Sequence, residues 1–126
     1  MIVVDASAMI ALLRKEPGFD LVAREAVGGV MSALNLAETY SRLFDLTQIA
    51  PIEWERAIEP LSLSVIPFDE AAAVAAAKLR PATKRLGLSL GDRACLALAI
   101  ERKLPVLTGD RVWATLDLGV EVRLIR

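Results

Sequence analysis

The chain opens on Ile2-Val3-Val4-Asp5-Ala6-Ser7, three β-branched apolar residues that run straight into an acid. A short unbroken apolar run is the pattern of a strand buried on both faces, so a parallel-sheet strand ending at Asp5 is expected. Ala6 and Ser7 lead directly into Ala8-Met9-Ile10-Ala11-Leu12-Leu13, a helix-like run. Ligands of open α/β sheets bind outside the carboxyl ends of the strands, and this opening delivers a carboxylate to that edge. Taken alone, Asp5 reads equally well as a turn or helix-cap residue.

From there the chain alternates. The first helix stops at Arg14-Lys15-Glu16-Pro17-Gly18, a strong break. Phe19 to Val27 reads as a second helix ended by Gly28-Gly29, and Val30-Met31 as a brief strand. Ser32 caps a helix from Ala33 to about Leu46, in which Leu36, Tyr40, Leu43 and Phe44 form one apolar face and Glu38 lies on another side. Pro51 opens a further helix carrying Ile52, Trp54, Ala57 and Ile58, and Pro60 closes it. Leu61 to Ile66 is expected to be a strand, and Asp69 the cap of an alanine-rich helix from Glu70 to Leu79. Arg80 to Gly87 reads as a polar, basic loop. Ser89 caps a helix from about Leu90 to Lys103. Pro105 to Thr108 forms a strand, Val112 to Leu116 a short helix and Val120 to Ile125 a last strand. Alternating strands and helices predict an α/β fold: one domain over residues 1–126, its parallel sheet covered by helices on both faces.

Composition narrows the chemistry. The 126 residues are 55% hydrophobic but only 5% aromatic, so the core is aliphatic. No run approaches the roughly 20 apolar residues of a membrane span, and no basic leader precedes the first strand. No membrane association is therefore expected. A chain this apolar is expected to cover part of its surface against a partner or itself. With 15 basic and 16 acidic residues, the net charge of −1 argues against binding nucleic acid by charge alone. The single cysteine, Cys95, leaves no internal disulfide, as expected in a reducing cytoplasm, and reads as core. There is no histidine. Histidine-based acid–base catalysis, Ser-His triads and His-ligated zinc are thereby excluded, leaving carboxylates, hydroxyls, amides and cations.

Two segments rhyme: Ile2-Val3-Val4-Asp5-Ala6-Ser7 and Val106-Leu107-Thr108-Gly109-Asp110. Each is a buried-type strand followed by an acid and a small hydroxyl residue. Parallel strands would bring both acids to one edge. Asp92, about one turn into its helix, would face the same edge, where the helix dipole favours negative charge. Glu38 completes a set of four carboxylates whose mutual repulsion a hard divalent cation, Mg²⁺ or Mn²⁺, offsets. Two such ions roughly 4 Å apart can clamp a phosphodiester and activate water without histidine. Each acid also has a plainer reading. Glu38 could be a solvated helix residue, Asp92 a first-turn acid and Asp110 a turn residue; Ser7 and Thr108 could be a cap and a strand end.

Asp5-Ala6-Ser7, Asn35-Leu36-Ala37-Glu38, Leu88-Ser89-Leu90-Gly91-Asp92 and Leu107-Thr108-Gly109-Asp110-Arg111-Val112-Trp113, in that order over essentially the whole chain, resemble the PIN-domain nucleases. The closest likeness is to the VapC-type toxin ribonucleases of toxin–antitoxin pairs. The resemblance implies a PIN-like sheet of five short strands and a cytoplasmic endoribonuclease. It implies that Asp5, Glu38, Asp92 and Asp110 bind Mg²⁺ or Mn²⁺, with Thr108 and Ser7 in support. It also implies a homodimer and a small cognate antitoxin that covers the acidic pocket. Gly91 departs from it, standing where the family more often has a slightly larger residue; Asn35 matches a frequent polar position one turn before the glutamate.

Arg80, Lys84, Arg85, Arg93 and Arg111 are candidates to guide RNA toward an acidic site, with ordinary solvated residues as the alternative. Trp54 and Trp113 read as packing residues. Two other functions stay open. One is a receiver-like domain with a phosphoryl-accepting Asp, which lacks the expected strand-end lysine. The other is a protein that binds through an acidic Mg²⁺ pocket without cutting.

Overall fold

The computed structural model describes residues 1–126. Its strands are β1 (Val3–Val4), β2 (Val30–Ser32), β3 (Ser64–Ile66), β4 (Val106–Thr108) and β5 (Val122–Leu124). They form one five-stranded sheet in the order β3-β2-β1-β4-β5, and every pairing is parallel. The helices are α1 (Ala6–Arg14), α2 (Phe19–Glu25), α3 (Ala33–Leu46), α4 (Pro51–Ile58), α5 (Glu70–Lys78), α6 (Arg80–Thr83) and α7 (Leu90–Arg102). None is long and apolar enough to cross a membrane.

The first strand is central because both of its faces are covered. Ile2 and Val4 pack with Met9, Val22, Met31 and Leu107 in one core, on the α1–α2 side. Val3 packs with Val30, Leu96, Val106 and Trp113 in the other, which contains the α7 residues. Successive strand side chains point to opposite faces, so a three-residue run feeds two cores. Each fully buried residue of this kind contributes about 1.5–3 kcal/mol. The chain leaves β1 toward β2 and β3 on one side and returns to β4 and β5 on the other. The crevice outside the ends of β1 and β4 is the topological switch point, the usual ligand position of such sheets.

Several expectations needed correction. Arg80 to Gly87 is not a loop but α6 followed by a 3₁₀ turn, Lys84–Leu86, with Gly87 closing it in the left-handed region. Pro81 fits the first turn of α6, where its missing N–H costs nothing, and Thr83 Oγ1 donates to the Leu79 carbonyl at 2.7 Å. The inward stripe of α3 is Asn35, Thr39 and Leu43. Phe44 lies 63% exposed, its ring edge-on to Trp54 at 4.9 Å. Of the expected apolar face, Leu43 is buried and Leu36 packs against the core, but Phe44 turns outward and two polar residues, Asn35 and Thr39, take buried places.

The third strand is also shorter than expected. Leu61 belongs to a 3₁₀ turn, and Ser62, at φ 50°, stands between that turn and the strand. The segment after Asp110 is a 3₁₀ turn, Arg111–Thr115, and the last strand is Val122–Leu124 alone. Cys95, Trp54 and Trp113 are buried packing residues.

Candidate active site

Asp5 follows β1 and is the N-cap of α1, which bears out its plain reading as a helix cap and sets its carboxylate at the strand-end edge of the sheet. Its Oδ1 accepts the Ala8 N–H at 2.8 Å. The β1–β4 register pairs Val4 with Leu107, and one step further sets Asp5 opposite Thr108. Thr108 Oγ1 donates to Asp5 Oδ2 at 2.6 Å. Ser7 Oγ lies 2.8 and 2.9 Å from the two Asp5 oxygens.

Both hydroxyls are held from behind. The Gly109 N–H donates to Ser7 Oγ at 2.8 Å, and the Asp110 N–H to Thr108 Oγ1 at 3.0 Å. Each hydroxyl has a single proton, so accepting a backbone N–H leaves that proton to point at Asp5. The turn after β4 thus orients two hydroxyls, and they orient one carboxylate. Ser7 and Thr108 sit 3.3 Å apart.

Asp5 is only 4% exposed. Burial pushes its carboxyl up to about 6; the bonds from Thr108, Ala8 and Ser7 pull it down, and the Asp92 charge adds to the rise. Glu38 is raised as well, by burial first and with the Asp92 charge adding, while Asn35 opposes the rise. The buried Cys95 thiol is pushed up by desolvation and by the fields of Asp5, Asp92 and Glu38. Three acids therefore act on one region. None of them is ion-paired with a lysine or arginine.

Asp92 stands in the first turn of α7 in a reciprocal capping box. The Asp92 N–H donates to Ser89 Oγ at 3.1 Å, and the Ser89 N–H donates to Asp92 Oδ2 at 2.9 Å. That box explains why Asp92 is where it is and leaves its second oxygen free. Asp110 is placed differently. Its Oδ1 accepts the Val112 N–H at 3.0 Å, capping the 3₁₀ turn. The structure thus gathers Asp5, Glu38 and Asp92 with Ser7 and Thr108, and sets Asp110 just beyond them on the turn after β4.

A divalent cation fits the chemistry of this donor set: hard carboxylate oxygens, half-buried or buried, with no basic partner and mutual repulsion to relieve. No three acids converge closely enough to hold one ion between them in this conformation. Asp92 is engaged by its cap and Glu38 by Asn35.

Of the basic candidates, Arg80, Lys84, Arg85 and Arg111 are exposed. Arg93 is not free: its Nη1 donates to the Ala76 carbonyl at 3.2 Å, and it packs against the end of α5. Sequence reading missed Arg126 altogether. A Cβ at Gly109 would lie 3.2 Å from Arg126 Nη2 and 3.4 Å from Ser7 Oγ, so this guanidinium borders the turn that holds Asp5. Nothing in the local sequence pointed to it, because the neighbourhood is made by β4 and β5 pairing.

Comparison with known proteins agrees with this architecture. The sequence pattern of the PIN domain matches residues 2–118. No curated protein matches the sequence. Among solved structures, Mycobacterium tuberculosis VapC20, described as a sarcin–ricin loop cleaving toxin, is 18% identical with a TM-score of 0.75, over 96% of this chain and 99% of that one. A toxin–antitoxin complex from Klebsiella pneumoniae is 21% identical with a TM-score of 0.74, over 100% and 98% of the two chains. FitAcB from Neisseria gonorrhoeae is 25% identical with a TM-score of 0.65, over 99% and 98%.

Proposed function

This chain belongs to the PIN domain family, and on that premise we propose that residues 1–126 form one cytoplasmic, metal-dependent endoribonuclease domain of the VapC type, the toxin of a toxin–antitoxin pair. The observation that carries the reading is the buried Asp5, ringed by oriented hydroxyls at the switch point and sharing its field with Glu38 and Asp92. Asp5, Glu38 and Asp92 would hold Mg²⁺ or Mn²⁺, with Asp110 at the rim. When bound, such an ion supplies Lewis-acid activation of water and charge stabilisation at an RNA phosphodiester.

The chain's own residues do the rest. Ser7 and Thr108 hold the Asp5 carboxylate in one orientation and keep both of its oxygens supplied with donors. The Ser89 cap fixes Asp92 on the first turn of α7. Arg80, Lys84, Arg85 and Arg111, exposed and outside every ion pair, would draw the polyanion toward an otherwise repulsive pocket. Arg93 is a weaker candidate because of its bond to α5.

A cognate antitoxin and a homodimer are part of the same reading. It is supported by the toxin–antitoxin complex among the similar structures and by large apolar residues left exposed at the α3–α4 corner: Phe44, Leu46, Ile49 and Ile52. The test is incubation of the purified chain with total cellular RNA, with and without Mg²⁺ or Mn²⁺, followed by sequencing of new RNA ends. New ends at few sites, dependent on metal and absent with Asp5→Asn, support the nuclease. Equal cleavage by Asp5→Asn would sink the site assignment.

A further inference from the structure

Helix α3 does not place Glu38 unaided. Asn35, one turn earlier, points an amide nitrogen between two acceptors. Its Nδ2 donates to Glu38 Oε1 at 2.8 Å and to the Gly91 carbonyl oxygen at 2.9 Å. The amide can sit only this way round, since the reverse would set its oxygen against a carboxylate and a carbonyl. Asn35 is 1% exposed, and its Oδ1 has no donor. The fold therefore leaves one buried acceptor unmatched while directing the donor end at Glu38.

Gly91 is the other half of the arrangement. It lies in the first turn of α7, where glycine is a poor helix former, and its backbone is not in the left-handed region that would call for one. The space explains it. A Cβ at Gly91 would overlap the Glu38 side chain, meeting both carboxylate oxygens and the carboxyl carbon. The missing methyl lets Glu38 lie directly against α7, beside the residue that precedes Asp92.

Resting on the nuclease reading above, we infer that Asn35 and Gly91 are positioning residues for Glu38. The amide sets the direction of the carboxylate, and the bare α-carbon sets its depth, so that Glu38 lies against the first turn of α7, beside the residue that precedes Asp92. The shared field is consistent with this, since the Asp92 charge reaches Glu38.

The test compares wild type, Asn35→Ala, Gly91→Ala, Glu38→Asp and the Gly91→Ala/Glu38→Asp double variant. Two readouts apply: Mn²⁺ binding followed by electron paramagnetic resonance, and the Asn35 side-chain amide resonances of the metal-free protein. Asn35→Ala and Gly91→Ala should each weaken Mn²⁺ binding by about 10–100-fold, the range for losing a partner behind a metal ligand. Glu38→Asp withdraws the carboxylate by one methylene and clears the new methyl, so it should cost less in the Gly91→Ala background than in wild type, a non-additive cycle. Gly91→Ala should also shift the Asn35 amide resonances.

Wild-type affinity in both single variants, tighter binding in Gly91→Ala, or strict additivity would overturn the assignment. If wild type itself binds no Mn²⁺, the metal reading of the site fails. The seat is then judged on the Asn35 amide alone, a shift in Gly91→Ala upholding it and an unchanged resonance overturning it. Should Gly91→Ala not fold, Glu38→Asp in the otherwise unchanged chain decides, since a withdrawn carboxylate must move those resonances.

Discussion

The ends of β1 and β4 look alike in sequence and differ in the fold. Both are short, fully buried strands with an acid and a hydroxyl residue at or just past the end. At β1 the acid comes immediately after the strand, so Asp5 is buried at the switch point and receives Ser7, Ala8 and Thr108. At β4 that place in the register is taken by Thr108, and Asp110 arrives two residues later, on a turn, with one backbone donor from Val112. A two-residue offset thus turns one acid into the centre of a network and the other into a cap beside it. Strand pairing, rather than the presence of an acid, decides which carboxylate is desolvated.

The largest expected difference is in activity. Asp5→Asn should lower metal-dependent RNA cleavage by more than about 100-fold, beyond the loss expected from an outer-shell partner. Asp110→Asn keeps the capping acceptor and should lose less, as measured by the rate at which new RNA ends appear. Equal losses would erase the distinction between the two strand ends.

The pH dependence of stability separates them next. Burial raises the Asp5 carboxyl from 3.8 to about 6 in the folded protein. Between those values the folded state holds more protons than the unfolded one, so metal-free stability should fall as pH rises from about 4 to about 6. The full change is about 3 kcal/mol. Denaturant titrations across that range should show the slope in wild type and in Asp110→Asn, and a clearly smaller one in Asp5→Asn, where the raised Glu38 carboxyl still contributes. A slope undiminished in Asp5→Asn would assign it to another group.

Thr108→Val keeps the shape and removes the hydroxyl. It deprives Asp5 of its shortest bond and the Asp110 N–H of its acceptor, and should cost about 1–3 kcal/mol in chemical denaturation. The smallest effect belongs to the cap itself. Asp110→Ala should cost about 1 kcal/mol, the usual value of a side-chain cap. A larger loss there than in Thr108→Val would mean that the turn, and not the hydroxyl ladder, holds the site together.

Much of this was readable before folding. A β-branched run ending in an acid read as a doubly buried strand, and alternation with helices as a parallel sheet. The caps at Asp5, Ser32, Asp69 and Ser89 followed from residue type and appear where the helices begin. What escaped were features that cross between elements. The buried stripe of α3 was only partly legible, because Asn35 and Thr39 look like surface residues until the Gly91 carbonyl and the Asn35 carbonyl are seen to accept from them. Gly91 read as a small departure; its place against Glu38 depends on α3 packing on α7 across a separation of more than fifty positions.

The sequence by itself therefore determined the local physics: which runs are apolar enough to be strands, which residues stop or cap helices, and which chemistry remains when histidine and paired cysteines are absent. Only the tertiary structure decided which acids share a field, which hydroxyls face Asp5, and where Glu38 lies. The reason is range. Propensity, capping and hydrophobic period act over a few residues and are written in neighbouring letters. Desolvation and hydrogen bonding between side chains act across space and exist only once β1 has paired with β4 and α3 has packed on α7.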